Sequence, residues 1–67
     1  MPKVSDAIRL VEAHGWRWTR TRGSHRQYSH PERPGLVTIA GRPSRALPLG
    51  TWRSILRQAG IDTKEDR

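Results

Sequence analysis

A histidine beside a tight turn, with arginines on both sides of it in sequence, is the segment of this chain best suited to chemistry on a phosphodiester. His25 directly follows Gly23-Ser24, and the nearby cations are Arg20, Arg22 and Arg26. A histidine can take or give a proton near neutral pH. Fixed guanidinium groups can stabilise the negative charge that develops on phosphorus. These residue types suit a phosphodiester site without a metal, although a lone histidine in a strand is more often simply a polar strand residue.

The charge of the chain indicates the class of ligand that it binds. The chain has a net charge of +7 over 67 residues, and eleven of its thirteen cations are arginine. The planar guanidinium group of arginine binds phosphate through two parallel hydrogen bonds and can stack on bases. We therefore expect a nucleic acid as the ligand, with Ser24, Arg42 and Arg45 as further contacts beside the three arginines around His25.

Composition excludes several other classes of protein. The chain contains no cysteine, so it has neither disulfides nor thiolate zinc sites. No segment approaches the roughly 18 apolar residues of a membrane span. The first ten residues lack the apolar run of a signal peptide, so the cytoplasm is the expected location.

Neither a metal site nor a serine hydrolase is favoured. The three histidines are His14, His25 and His30, and no two of them are four residues apart as a ligand pair on a helix would be. Ser24 stands next to a histidine, but the sequence identifies no positioned acid to complete a triad. We expect no metal and no cofactor.

The elements that must position His25 begin with an amphipathic helix. Val4, Ala7, Ile8 and Val11 recur at helical spacing and predict a helix over 4–14. Gly15 should end this helix in a left-handed conformation, with Trp16 packing back on Val11.

The middle of the chain predicts strands. Residues alternate from Trp16 to Thr21, and Gly23-Ser24 predicts a two-residue type II′ turn into a returning strand over 25–30. Pro31 should stop that strand, because proline cannot donate to the ladder. We expect a loop over 31–35 and a third strand over 36–40.

A second helix is expected near the end of the chain. Residues 41–50 read as a stiff basic loop with Thr51 as the N-cap. An apolar stripe follows, and Gly60 should end the helix with Ile61 closing onto Leu56. The stripe consists of Trp52, Ile55, Leu56 and Ala59. The polar residues 62–67 are expected to fray.

The predicted element order, α-β-β-β-α, defines an α+β fold. Two amphipathic helices can cover one face of a three-stranded antiparallel sheet and give a two-layer sandwich. This element order is that of double-stranded RNA-binding domains. The chain length predicts one domain over 1–67.

The remaining aromatic and histidine residues have structural interpretations. Trp16 and Trp52 fall on core positions. Trp18 is expected in the core on the same strand face as Trp16, the alternative being that it stacks on an RNA base. His14 suits the end of a helix, and His30 is expected to be structural or exposed.

Several short motifs in one order and at one spacing are together typical of a single family. They are Gly23-Ser24-His25, Tyr28, His30-Pro31, Leu47-Pro48 and Gly50-Thr51-Trp52-Arg53-Ser54-Ile55-Leu56-Arg57-Gln58-Ala59-Gly60-Ile61. In these motifs, and in the first helix with its Gly-Trp ending, the chain resembles the HicA family of bacterial toxins over roughly residues 3–61.

The resemblance implies a ribosome-independent endoribonuclease that cleaves mRNA, inhibits translation and belongs to a type II toxin–antitoxin system. It also implies a HicB-like antitoxin that masks the active site. The catalytic histidine of the family falls at His25. Many relatives carry a second histidine after the third strand, where this chain has Arg42, so the role of that histidine cannot be carried over.

Two other functions remain open on the sequence alone. One is a module that binds structured RNA without cutting it, which the absence of the second histidine favours mildly. The other is an interaction protein whose basic face serves an acidic partner. His25 in its turn favours the ribonuclease.

Overall fold

The architecture is known from a computed structural model that describes residues 1–61, so the polar segment predicted to fray, 62–67, lies outside the described residues. The elements are α1 (Val4–Ala13), β1 (Arg17–Arg22), β2 (His25–His30), β3 (Arg33–Ala40) and α2 (Leu49–Ala59). The strands form one antiparallel sheet in the order β1-β2-β3. The predicted α-β-β-β-α, α+β fold is confirmed.

Both helices cover the same face of the sheet. Tyr28 of β2 lies opposite Val37 of β3, so these two side chains share a face, and both are buried. Both helices pack on β3. Their buried side chains join the sheet residues in a single core, which contains Val4, Ala7, Val11, Trp16, Tyr28, Val37, Ile39, Leu47, Ile55 and Ala59. The result is the predicted two-layer sandwich, in which neither helix covers the other face of the sheet.

The glycine ends of both helices have the predicted geometry. Gly15 has φ 93°, and Trp16 N–H donates to the Val11 carbonyl at 3.1 Å. Gly60 has φ 69°, and Ile61 N–H donates to the Leu56 carbonyl at 2.9 Å. These bonds satisfy carbonyl groups that would otherwise be left without partners at the helix ends.

The start of α1 is held by a carboxylate. The Lys3 N–H donates to an oxygen of Asp6 at 2.8 Å, as the third residue of a helix does in a capping box. This bond lowers the pKa of Asp6 below its ordinary value, and the nearby Arg9 adds to the effect while desolvation opposes it.

The turn before His25 is also as predicted. Arg22 pairs with His25, so Gly23 and Ser24 alone form the connection. Gly23 has φ 60°, and no residue other than glycine has a positive φ among residues 1–61. A positive φ followed by a negative one is the pattern of a type II′ turn, which matches the twist of the two strands.

Two predicted boundaries are wrong. β3 begins at Arg33, so the loop expected over 31–35 is only a short turn. Pro34 is tolerated because β3 is an edge strand and the pairing with β2 shifts register between Tyr28 and His30.

The second wrong boundary is the N-cap of α2. Thr51 lies inside the helix, which begins at Leu49 with Pro48 as N-cap. Pro48 is extended, at φ −59° and ψ 149°, and its carbonyl accepts the N–H of Trp52 at 3.0 Å. A proline can take this position because the N-cap contributes its carbonyl to the helix, not its N–H.

The segment before α1 is hydrogen-bonded to the loop after β3. Val4 N–H donates to the Arg45 carbonyl at 2.9 Å, and Leu47 N–H donates to the Pro2 carbonyl at 2.7 Å. Lys3 and Ala46 form an antiparallel bridge between these two bonds. The loop that follows β3 is therefore held against the start of the chain.

Two of the three tryptophans lie in or against the core as predicted, and the third does not. Trp16 is buried and donates from Nε1 to the Ala59 carbonyl at 3.2 Å, and Trp52 packs against the core, both as expected. Trp18 is 57% exposed, so its assignment to the core is wrong. Its pairing with Tyr28 puts it on the helix-side face, but the helices pack on β3, at the opposite edge of the sheet from β1.

Candidate functional site

The uncovered face of the sheet carries His25. Paired residues of an antiparallel sheet share a face and alternate along each strand. His25 pairs with Arg22 on one side and Ala40 on the other, which is the register opposite to that of Tyr28 and Val37. We call this surface the open face. It consists of Arg17, Arg20, Arg22, His25, Gln27, Ser29, Thr38 and Ala40.

His25 is exposed at the first position of β2, directly after the Gly23-Ser24 turn. Within residues 1–61 its ring makes no hydrogen bond, whereas His14 and His30 each contact a backbone carbonyl. Both ring nitrogens of His25 are thus available to a ligand. Of the three histidines, His25 alone combines exposure with a ring that the described part of the chain does not engage.

His30, by contrast, contacts the end of α1, the β2–β3 turn and Trp16. Its Nε2 lies 3.0 Å from the His14 carbonyl oxygen, and its Nδ1 accepts the N–H of Glu32 at 3.0 Å. Nε2 therefore carries the proton. The ring also packs edge-on against Trp16, with centroids 5.2 Å apart. These contacts give His30 the structural role expected for it.

Two of the three arginines near His25 in sequence share its face. Arg22 lies directly opposite His25, where paired Cβ atoms are typically about 5 Å apart. Arg20 lies opposite Gln27, and its Nε donates to Gln27 Oε1 at 2.8 Å. This bond fixes the plane of the guanidinium group and leaves its two terminal nitrogens for a ligand. Nothing in the sequence alone marks Gln27, because a glutamine on an exposed strand is common.

Arg26 is separated from this pair. Its side chain is partly buried on the helix-side face, and Nη1 donates to the Gly41 carbonyl at 2.6 Å. Arg26 therefore fixes the start of the loop after β3 from behind the sheet. Alternation along β2 explains the separation from its neighbour His25.

A cleft of about 280 Å³ lies beside the turn. Ser24 and Gly41 form one wall, joined by a hydrogen bond from the Gly41 N–H to the Ser24 carbonyl at 3.2 Å. Arg45 and Thr51, in the first turn of α2, form another wall. No side chain of the N-cap satisfies the first N–H groups of α2, so this end of the helix favours negative charge. Arg42 is exposed on the same loop but does not line the cleft.

Within residues 1–61, no acidic side chain forms an ion pair with the arginines of the open face. Residues 1–61 contain eleven Lys or Arg and three Asp or Glu. The ion pair found among them joins Arg9 to Asp6 on α1, at 3.1 Å. The arginines of β1 are consequently free to attract an anion from outside the described chain.

Two features are absent from the described residues. No helix within residues 1–61 is long and apolar enough to cross a bilayer. In the same part of the chain, no three His, Asp or Glu side chains gather closely enough to hold a metal ion.

Comparisons with known proteins assign the chain to a family. No curated protein sequence matches the chain significantly. The family profile described as the HicA toxin of bacterial toxin–antitoxin systems matches residues 4–61, which include both helices and all three strands. Toxins of this family generally cleave RNA and are paired with an antitoxin. The chain therefore belongs to the HicA family of toxins.

Proposed function

We propose that this HicA toxin is a metal-independent, ribosome-independent endoribonuclease of a type II toxin–antitoxin system that cleaves mRNA and so inhibits translation. The observation that carries the proposal is the geometry around His25. Its ring is exposed, makes no hydrogen bond within residues 1–61, and lies opposite Arg22 on a basic face that neither α1 nor α2 covers. The family supports RNA cleavage in general, and this geometry supports His25 as the catalytic residue.

The proposed reaction uses the 2′-hydroxyl of the substrate. His25 takes the proton of that hydroxyl while the 2′-oxygen attacks the adjacent phosphorus. The bond from phosphorus to the 5′-oxygen breaks, and the departing oxygen takes a proton from solvent, to which the open face is exposed. The products are a 2′,3′-cyclic phosphate and a 5′-hydroxyl end.

The arginines stabilise the charge that develops during this attack. Arg22 lies opposite His25, and Arg20 is already oriented by Gln27, so Arg20 has little to reorganise when it meets the phosphate. Ser24 and Arg45 line the cleft beside the turn and would hold a neighbouring phosphate, and Arg42 reaches RNA from the same loop. We assign Arg26 to positioning this loop, because its guanidinium group is bound to Gly41.

Replacing His25 with alanine tests the catalytic assignment. We expect cleavage of a defined single-stranded RNA to be lost, because a general acid or base contributes about 10²- to 10⁴-fold in rate. RNA affinity should change little, since phosphate contacts dominate it. Wild-type cleavage should persist in EDTA, and an RNA with a 2′-deoxy sugar at the cut site should resist.

His14→Ala is the matched control. His14 is also exposed, but it lies at the end of α1 with Nδ1 against the Leu10 carbonyl. This variant should cleave at the wild-type rate. A His25→Ala protein that cuts as fast as wild type would show that His25 is structural.

The second candidate is an RNA-binding protein that does not cut. Arg42 favours it, because it stands where many relatives carry a second histidine. Tight binding without cleavage of any RNA by the wild type would support this candidate. An Arg42→His variant that then gained cleavage would trace the inactivity to this position.

A further inference from the structure

Trp18 is an exposed aromatic ring that the proposed reaction does not use. It is 57% exposed on β1, the edge strand farthest from β3 and its helices. The ring is nevertheless held in place, because Nε1 donates to the Thr21 hydroxyl at 2.9 Å. Its polar group is thereby satisfied within the strand, so that the ring presents an apolar face of fixed orientation to solvent.

This ring forms one wall of a second cleft, of about 260 Å³. The other walls come from Glu12, Trp16 and Arg17. The volume is below the range of about 300–1,000 Å³ that is typical of pockets for drug-sized ligands. A single flat ring stacked on Trp18 suits a cleft of this size better than a larger molecule does.

The charges around the cleft indicate the chemistry of that ring. Arg17 lines the cleft beside Trp18, whereas Arg20 and Arg22 lie on the open face of the same strand. A base stacked on Trp18 therefore has one guanidinium group beside it, and its phosphate backbone meets two more where it continues over the edge of β1. The Glu12 carboxylate repels phosphate but accepts hydrogen bonds from base amino groups, so it favours a base edge over the backbone in this cleft.

We propose that Trp18 stacks on one unpaired base of the substrate, and that the substrate is therefore single-stranded RNA; this rests on the proposed function. The Trp18–Tyr28 pair lies three positions along β2 from the Arg22–His25 pair, which corresponds to about 10 Å. The stacked base thus belongs to a nucleotide near the cut, not to the one being attacked.

The two sites lie on different faces of the sheet. His25 is on the open face, and Trp18 shares the face of Tyr28. RNA that reaches both must pass over the edge of β1, where no other strand of residues 1–61 pairs. A flexible single strand can follow that path around one strand, whereas a stiff duplex cannot bend so sharply. The position of Trp18 thus selects against double-stranded RNA.

The test compares binding of a short single-stranded RNA by Trp18 variants, all made in a His25→Ala background to prevent cleavage. Trp18→Ala should weaken binding about 5- to 150-fold, the range measured for loss of one base stack, and Trp18→Phe should restore part of the affinity. The slope of log affinity against log salt should stay unchanged, because no charge is removed. Leu49→Ala, which removes an exposed apolar side chain on α2 in the other layer, is the control and should bind like its parent.

RNAs with one abasic residue at successive positions locate the stacked base. At one position, the abasic RNA should bind the parent as weakly as the intact RNA binds Trp18→Ala. Combining the two changes there should add no further loss. A matched duplex should bind the Trp18→Ala protein and its parent equally well.

The proposal is overturned if Trp18→Ala binds single-stranded RNA like its parent. It is also overturned if the loss of affinity from Trp18→Ala and the loss from an abasic residue add at every position. Weaker binding to an antitoxin with unchanged RNA affinity would also overturn it and would assign the ring to a protein interface. If RNA is cut in the His25→Ala background, the catalytic assignment fails, and the Trp18 comparison is repeated with a 2′-O-methyl oligonucleotide. The two failures are thus distinguishable.

Discussion

The arginines of the open face differ in how they are held, and this difference should be measurable. Arg20 is oriented by Gln27, whereas Arg22 makes no hydrogen bond within residues 1–61 and lies beside His25. In RNA binding, each phosphate contact on a single strand contributes about 0.7 to the slope of log affinity against log salt. Several such contacts should give the wild type a slope clearly steeper than −1.

We predict that Arg22→Gln weakens RNA binding and makes this slope shallower by about 0.7. Cleavage should fall more than affinity does, because Arg22 is also placed to meet charge that develops only during attack. Fluorescence anisotropy across a salt series measures the first effect, and single-turnover cleavage measures the second. Arg57→Gln, an exposed arginine on α2 in the other layer, is the control. Equal slopes for Arg22→Gln and wild type would remove this residue from the interface.

At the scale of single residues, the sequence identifies the candidate residues but not the side chains that contact them. The Gly23-Ser24-His25 motif singles out His25 in a turn, and the structure has that turn. The roles of Gln27 and Arg26 cannot be predicted in the same way, because they depend on which face of the strand each residue occupies. Pairing register decides the face, and a shift of one residue would exchange them.

At the scale of elements, the glycine that ends α1 has two reasons to be glycine. Its φ of 93° is rarely adopted by residues with a side chain. A Cβ placed on Gly15 would also lie 2.7 Å from Nε2 of His30, the ring that joins α1 to the β2–β3 turn. Any side chain there must therefore strain the backbone and displace His30.

We predict that Gly15→Ala lowers the free energy of unfolding by about 1–3 kcal/mol, the usual cost of such a backbone conformation. A domain of this size typically has only about 3–5 kcal/mol in total, so the melting temperature should fall markedly. Gly50→Ala is the matched control, since Gly50 lies in α2 without a positive φ and with open space around it. That change should be neutral or stabilising by up to about 1 kcal/mol. Urea denaturation checks both, and equal stability of Gly15→Ala and wild type would contradict the argument.

Trp18 shows where the prediction of elements fails. Alternation along a strand predicts the face of a side chain, and Trp18 does lie on the face of Tyr28. Alternation says nothing about which strand the helices will cover. Here both helices pack on β3, so that the side chains of β1 are exposed on both faces. The extent of β3 is missed for a related reason, because an edge strand accepts a proline that a central strand would exclude.

At the scale of the whole molecule, positive charge and an uncovered sheet face coincide. A small domain with this much charge repels itself and attracts an oppositely charged partner. We propose that a HicB-like antitoxin occupies the open face and masks His25. Electrostatic complementarity would also bring the partner to this face quickly.

We predict that His25 is protected from a histidine-acylating reagent in the complex with its antitoxin, while His14 stays reactive. Both rings are exposed in the free chain, so His14 reports on general changes of reactivity. Peptide mass spectrometry of free and bound toxin measures the two sites together. Equal labelling of His25 in the free and bound states would place the partner elsewhere and exclude direct masking.

The hydrogen bonds that join the start of the chain to the loop after β3 bear on how this family can diverge. They run between main-chain groups of Pro2, Val4, Arg45 and Leu47, so the side chains at Lys3 and Ala46 can be exchanged without breaking them. Deleting one residue from either segment would instead shift the register and withdraw Leu47 from the core and Arg45 from the cleft beside Ser24. Relatives can therefore differ in residue identity at the positions of Lys3 and Ala46, but they should keep the same number of residues in both segments.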